Sequence, residues 1–427
     1  MNYQESINYI EGLAVFGSKP GFERINALLD ALDHPEKGMK YIHVAGTNGK
    51  GSICTTVANI LTEAGYKTGL FTSPFVSDFR ERIQINGAYI SKEALCKNTE
   101  IVRNISEKLA EKGIQPTEFE VITAIMFLFF KEEKCDIVVL EVGLGGLLDS
   151  TNVIDKALVS AITSLSFDHM GILGNTIDEI AAHKAGIIKD GGITISAPHQ
   201  PESALQVLRT VAYEHQNKFV IADPGKLKVL NKSILGTEIE YRNIKMNLHL
   251  IGPHQVDNLS VSLTIVDELI EAGMNISDDS IKSGVEKTVV PARIEIVSSE
   301  PLIIIDGGHN EDGARVLSET LKEFTHDKNK ILVMGVMADK EVDKVLRCLA
   351  PIASKVITTT PQSPRSMEAC QLCEKAKEYC SDVAFSDDPC KAYELAKKIS
   401  TTNDCIVVCG SLYLAGDVRN YILDTLK

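Results

Sequence analysis

Tryptophan is absent from this 427-residue chain, and Phe and Tyr bring the aromatic fraction only to 6%. With 44% of residues hydrophobic, the composition is that of an aliphatic α/β protein and excludes disordered and fibrous classes. Long apolar runs are also lacking. The longest, Val121 to Phe130, falls well short of the roughly 20 residues a membrane span requires, so no span is predicted. The opening MNYQESINYIEGLAVF holds two Glu and no basic stretch, unlike a secretory signal, and the expected location is the cytoplasm. Basic residues are in the minority, 44 against 58 acidic, and the net charge of −14 argues against nonspecific nucleic-acid binding. Small anions remain possible ligands, since they need only a few local cations. Ten Cys show no framework spacing. Cys370 and Cys373, the one close pair, fall in a helical pattern without a second Cys or His pair, so they read as reduced thiols rather than a metal or redox site.

What is present is alternation. A chain of this length exceeds one typical core and predicts two domains. IHVAG (42–46), TGLFTS (68–73), DIVVLEVG (136–143) and ALVSAIT (157–163) are short apolar runs suited to buried parallel strands. A helix is predicted from Lys50 to Ala64 and another over 175–189, with Asp178 and Glu179 in its first turn. Between about 218 and 250 short alternating pieces predict a small antiparallel patch, and the helix beginning GPHQVDN closes the first domain. The stretch near 289–300 reads as a connector, after which LIIID, KILVMGV, KVITTT, VAFS and CIVVCG alternate with helices. The expectation is therefore α/β throughout: a mostly parallel domain at 1–293, whose first strand–turn–helix is of the P-loop type, a linker at 294–300, and a Rossmann-like domain at 301–427.

The chemistry starts at Gly46-Thr47-Asn48-Gly49-Lys50-Gly51-Ser52, between a strand and a helix. Such a turn can wrap backbone N–H groups around phosphates, Lys50 adds charge, and Ser52 or Thr55 can ligate magnesium. The spacing departs from the common phosphate loop, because Gly51 separates Lys50 from Ser52. An ordinary tight αβ turn is the competing reading.

The variant G-T-N-G-K-G-S resembles the nucleotide loop of the folylpolyglutamate synthase and dihydrofolate synthase family, relatives of the Mur ligases. FTSPFVSDFRERIQING (71–87), TEFEVITAIMF (117–127), LEVGLGGLLDSTNV (140–153), TSLSFDHMGILGNTIDEIAAHKAGIIK (163–189), GPHQVDNL (252–259), PARIE (291–295), DGGHNEDG (306–313), GVMADKE (335–341) and GSLYLAGDVR (410–419) extend the likeness over nearly the whole chain, in order. The resemblance implies an ATP-dependent ligase that phosphorylates the terminal carboxylate of a folate and joins it to L-glutamate, giving ADP and phosphate. It implies two Mg2+ sites, one held by Ser52, Ser73 and Glu141, the other by Glu141 and His169 with a carbamylated Lys184, and a monovalent cation such as K+. Independently of the family, Lys184 could be a helix-surface lysine paired with Glu179 or Asp178. The resemblance places adenine at Asn258, phosphates at Arg293 and ribose at Asp306, with His309 and Ser411 near the second substrate. Lys50, Lys184, Asp306 and His309 are the implied catalytic residues. Asp339 and Lys340 are either site residues or loop charges.

For the aromatic pterin, Phe75, Phe79, Arg82, Phe119 and Glu120 are candidate walls. Leu147-Leu148-Asp149-Ser150 departs from the Arg and Asp-Ala pattern frequent in members that also use dihydropteroate, which sets the sibling activity against the main one. A nucleotide-binding switch without ligase chemistry is the third class, disfavoured by Glu141, His169 and Lys184 occurring together. No nucleic-acid or membrane partner is expected, and the family implies a monomer.

Overall fold

The chain is described by a computed structural model covering residues 1–17, 20–167, 170–338 and 340–425. Its first sheet contains β1 (Tyr41–Ala45), β2 (Thr68–Phe71), β3 (Ile83–Ile85), β4 (Ala88–Tyr89), β5 (Ile137–Glu141), β6 (Val159–Ile162), β7 (Ile193–Ser196) and β8 (Lys218–Ile221). Their order is β4-β3-β2-β5-β1-β6-β7-β8. All neighbouring pairs from β2 to β8 are parallel, while β3 and β4 add antiparallel edges. The central strands are buried on both faces, which explains why β1, β5 and β6 read as continuous apolar runs rather than alternating ones. From β1 the chain winds one way to β2 and the other way to β6, so the loops leaving β1, β5 and β6 border a switch point, where doubly wound sheets bind ligands.

The apolar run at 121–130 lies inside the helix Glu118–Glu132, capped by Thr117, and it is core: Val121, Ile125, Met126, Phe127 and Phe130 are all fully buried. No described helix is long and apolar enough to cross a membrane.

Two expectations need correction. Residues 218–221 do not open the antiparallel patch; they form β8, parallel to β7, because their apolar face completes the large sheet. The patch is confined to β9 (Lys228–Ser233), β10 (Gly236–Tyr241) and β11 (Ile244–Leu248), in order β11-β10-β9. Arg242 and Asn243, both at positive φ, make the tight turn between the last two strands. The linker at 294–300 is a strand, β12 (Glu295–Ser299), antiparallel to β13 (Leu302–Ile305), since its Ile296 packs on the second core.

That second sheet runs β12-β13-β17-β14-β15-β16, with β14 (Asn329–Met334), β15 (Lys355–Thr358), β16 (Val383–Phe385) and β17 (Asp404–Cys409), parallel from β13 onward. Two compact units result. One comprises Met1–Lys228, Glu240–Met246 and Val256–Thr288; the other comprises Val229–Ile239, Asn247–Gln255 and Val289–Lys427. The boundary thus falls after Thr288 rather than at 293, and parts of the small sheet belong to the second unit.

Candidate active site

The glycine turn leaves β1 and enters the helix Lys50–Glu63, with Gly49 at φ 90° as its cap residue. Gly46, at φ 151°, passes so close to β6 that a Cβ there would lie 1.7 Å from the Thr163 hydroxyl. A Cβ on Gly49 would meet the Asn258 side chain at 2.3 Å, so Asn258 packs on the turn itself. These two glycines are dictated by close approach as well as by φ. The segment after β6 fastens the turn. Thr47 N–H donates to Ser164 O at 2.8 Å, Thr163 Oγ1 donates to Asn48 O at 2.7 Å, and Thr47 Oγ1 donates to Ser166 O at 3.1 Å. Gln200 in turn braces that segment, accepting from Leu165 N–H at 3.0 Å and donating to Thr163 O at 2.7 Å. Lys50 Nζ folds back onto the carbonyls of Gly46 (3.0 Å) and Thr47 (3.2 Å). The sequence reading missed Thr163, Ser164 and Gln200. The hydroxyl-rich TSLS directly after a strand was the available signal.

Glu141 ends β5 and is 5% exposed; its Oε2 accepts from Ser73 N–H at 3.0 Å. The same oxygen lies 3.6 Å from where a Gly51 Cβ would stand, so the carboxylate faces the first turn of the Lys50–Glu63 helix, which also carries the buried Ser52. Carboxylate and hydroxyl oxygens beside a helix N-terminus are hard donors of the kind magnesium takes with one or two carboxylates and phosphate oxygens, so the donor set fits that ion. His169 lies outside the described residues, and among those described no cluster of three His, Cys, Asp or Glu side chains could hold a metal.

Lys184 is not a surface lysine. It is 4% exposed on the helix Ile177–Ala185, and its Nζ donates to Gly46 O at 2.7 Å. Glu179 is instead engaged by the backbone N–H groups of Asn175 (2.7 Å) and Thr176 (3.1 Å), as a capping box requires. Gly146 lies against the same helix, a Cβ there falling 2.8 Å from His183 O, and Leu147 N–H donates to that carbonyl at 2.7 Å.

This loop forms one wall of a cavity of about 500 Å³. Phe119, Ser73, Pro74, Leu148, Asp149 and His183 are among its lining residues. A Gly143 Cβ would overlap Phe119 Cζ at 2.4 Å, which explains the glycine. Phe75 and Arg82 are not among the lining residues. Phe75 stacks with Phe79 at 5.6 Å, and the Arg82 guanidinium lies over both rings, 5.2 and 5.5 Å from their centroids. Glu120 is no wall either. Buried at 2% exposure, it accepts from Thr117 N–H at 2.7 Å and pairs with Arg24 at 3.0 Å. In the sequence Asp149 was named only within the 147–150 stretch that departs from the family pattern; its N-cap position before Ser150-Thr151-Asn152 was the clue to its own bonds.

In the second unit Asp306 ends β13, buried, with its two oxygens accepting from Ile294 N–H (3.1 Å) and Gly308 N–H (2.9 Å). Burial raises its pKa, opposed by the nearby Arg293 guanidinium. His309 follows with Nδ1 3.4 Å from Gly307 O. Ser411 is 1% exposed and accepts from Tyr413 N–H at 3.1 Å, a helix-capping contact. Lys340 is half-buried, its N–H bonded to Met337 O at 3.2 Å, and Asp339 lies outside the described residues. Cys373 is buried and Cys370 exposed on the helix Ala369–Ala376, and both are free thiols.

The chain as a whole is similar to known proteins. A Mur ligase middle-domain model matches residues 44–266, and a Mur ligase glutamate-ligase-domain model matches residues 292–412. The dihydrofolate synthase/folylpolyglutamate synthase of Bacillus subtilis (strain 168) is 39% identical over 429 residues, covering 98% of each chain. The solved folylpolyglutamate synthase of Thermotoga maritima superposes with a TM-score of 0.86 at 34% identity, over 99% of this chain and 97% of its own. That of Mycobacterium tuberculosis, complexed with ADP, gives a TM-score of 0.90 at 29% identity, over 99% of both. With a relative this similar matched over nearly its full length, the chain belongs to the folylpolyglutamate synthase and dihydrofolate synthase family, ATP-dependent ligases of the Mur ligase group.

Proposed function

We propose that this protein is a monomeric, cytoplasmic folylpolyglutamate synthase, which uses ATP to add L-glutamate to the terminal glutamate carboxylate of a reduced folate. A carboxylate oxygen attacks the γ-phosphorus, the bond to the β-phosphate oxygen breaks, and ADP leaves. Glutamate's neutral amine then attacks the acyl carbon, phosphate departs, and the amine nitrogen gives up a proton. Both reactants of the first step are anions, so the chain's main tasks are positioning and charge neutralisation.

In this reading the N–H groups of Thr47 to Ser52 and the Lys50 ammonium hold the triphosphate, and Asn258, packed on Gly49, borders the base. Ser52, Ser73 and Glu141 would hold one Mg2+, and Glu141 with His169 and a carbamylated Lys184 a second; when bound, these ions neutralise phosphate charge. Lys184 suits carbamylation because a carbamate nitrogen keeps one N–H, enough for its 2.7 Å bond to Gly46 O. A monovalent cation such as K+ belongs to the same proposal. Arg293, Asp306, His309 and Ser411 are assigned to nucleotide and glutamate, and Phe119 with the cavity to the folate; Phe75 and Arg82 remain candidate folate contacts. The unit built on the large sheet is the proposed nucleotide domain, and the unit built on β12 to β17 the proposed glutamate-ligase domain.

The observation that carries the reading is Lys184, buried on the helix that supports the cavity's glycine wall, with its Nζ donating to the Gly46 carbonyl. The test is ADP release with glutamate and tetrahydrofolate, dihydropteroate or neither. Release only with tetrahydrofolate supports the proposal; release with neither would reduce the protein to a nucleotidase. Release with dihydropteroate as well would make it bifunctional, a reading favoured by the double name of the Bacillus subtilis relative.

A further inference from the structure

β1 is YIHVA, fully buried in the centre of the large sheet; the Tyr41 hydroxyl at its start donates to Glu36 O at 2.6 Å, and the polar side chain in its middle is His43. An apolar residue would serve the core better, so the imidazole needs another explanation. Its Nε2 lies 2.8 Å from Thr151 Oγ1, and Thr151 Oγ1 lies 2.6 Å from Asp149 Oδ1. The hydroxyl has one proton and the ionised carboxylate can only accept, so that proton goes to Asp149 and His43 must donate from Nε2. The tautomer is thereby fixed, with Nδ1 buried and lacking a hydrogen-bond partner among the described residues. Asp149 also accepts from Thr151 N–H at 2.9 Å through Oδ1 and from Leu144 N–H at 2.8 Å through Oδ2. Leu144 and Asp149 both line the cavity. A string of directed bonds therefore runs from the strand that ends at Gly46 to the loop that walls the cavity.

We infer that His43, Thr151 and Asp149 form a positioning relay, which fixes the 143–150 wall of the cavity against the strand carrying the nucleotide turn. The inference rests on reading that cavity as the folate site. None of the three residues needs to exchange protons with a substrate. Their effect is to hold Leu144 and its neighbours at one height, so that the acid's carboxylate arrives in register with the γ-phosphate. The Thr151 hydroxyl is the hinge of the arrangement, being the single atom that both accepts from His43 and donates to Asp149.

Thr151→Val keeps the shape and deletes that atom, and Thr151→Ser restores it. The expected result is a KM for tetrahydrofolate raised about tenfold in the valine variant, with KM for ATP within about twofold and the serine variant near wild type. Equal KM values in wild type and Thr151→Val, or parallel shifts in both substrates that serine does not rescue, would overturn the relay. Should the valine variant not fold, Thr151→Ala is read in its place. Amide hydrogen exchange gives a readout independent of turnover. Faster exchange confined to residues 143–151 is expected in the unliganded variant, and unchanged exchange there would sink the inference even if the enzyme used a different acid. A wild-type protein that ignored tetrahydrofolate while the variant showed this faster exchange would fault the functional reading and leave the relay standing.

Discussion

Replacing Gly46 with alanine should damage the nucleotide turn more than any other single methyl group. The new Cβ would lie 1.7 Å from Thr163 Oγ1, 2.7 Å from Thr163 Cβ and 3.0 Å from Thr163 N. Rotating the threonine cannot relieve the overlap, because its Cβ and backbone nitrogen also lie inside contact distance. Either β1 and β6 part at their carboxyl ends or Thr163 loses its 2.7 Å bond to Asn48 O. The left-handed backbone at φ 151° costs an alanine roughly 1–2 kcal/mol, overpacking about 1–3, and the lost hydrogen bond about 1. A total near 3–6 kcal/mol is expected in urea unfolding followed by circular dichroism. ATP binding by calorimetry should weaken at least about tenfold, since the N–H cradle is displaced. Adding Thr163→Ala removes the 1.7 Å contact with the hydroxyl but leaves those with Cβ and the backbone nitrogen, so the double variant should regain only about 1 kcal/mol. Wild-type unfolding and ATP affinity in Gly46→Ala, or a double variant simply additive, would refute the close-approach argument.

Three further outcomes are expected. Glu141→Gln keeps an acceptor for Ser73 N–H but removes the charge that suits a magnesium ion, so turnover should fall at least about 100-fold and the half-saturating Mg2+ concentration should rise; unchanged magnesium dependence would remove Glu141 from the ion's donors. Arg24→Ala strands the buried Glu120 carboxylate and should cost about 2–4 kcal/mol of unfolding free energy, with Glu120→Gln in the same background recovering much of it. Burial, aided by the Lys189 charge, lowers the His43 pKa from 6.5 to about 3. The folded value lies below the unfolded one, so this contribution is complete above pH 6.5 and is lost as pH falls toward 3. It amounts to about 5 kcal/mol, and His43→Gln should flatten that part of the acid-unfolding slope.

Much of this architecture was legible because parallel strands buried on both faces write themselves as apolar runs, as β1, β5, β6, β13 and β17 do. β8 and β12 were misassigned for the opposite reason: edge strands are half-exposed, so KFVI and EIVSS carry weak patterns that resemble connectors or hairpin pieces. Within the candidate site, residues that announce themselves by type drew the expectation, and the structure brings Lys50 and Lys184 to the Gly46 carbonyl and Glu141 to Gly51. Thr163 and Gln200 were missed because their work is to satisfy backbone groups of segments distant in sequence, and a single threonine or glutamine in a loop carries no periodic signal. Phe75, Arg82 and Glu120 were assigned to the cavity through their neighbours in sequence. Side-chain direction decides membership, and on the helix Glu118–Glu132 it turns Phe119 into the cavity and Glu120 toward Arg24.

Carboxylate phosphorylation is the claim on which the functional account depends, and an isotope tests it most directly. Tetrahydrofolate bearing heavy oxygen in its terminal glutamate carboxylate, incubated with the protein, ATP, Mg2+ and glutamate, should yield inorganic phosphate carrying one heavy oxygen for each glutamyl residue added. Product formation with phosphate free of the label would contradict an acyl phosphate, and with it the proposed roles of the glycine turn and Lys184.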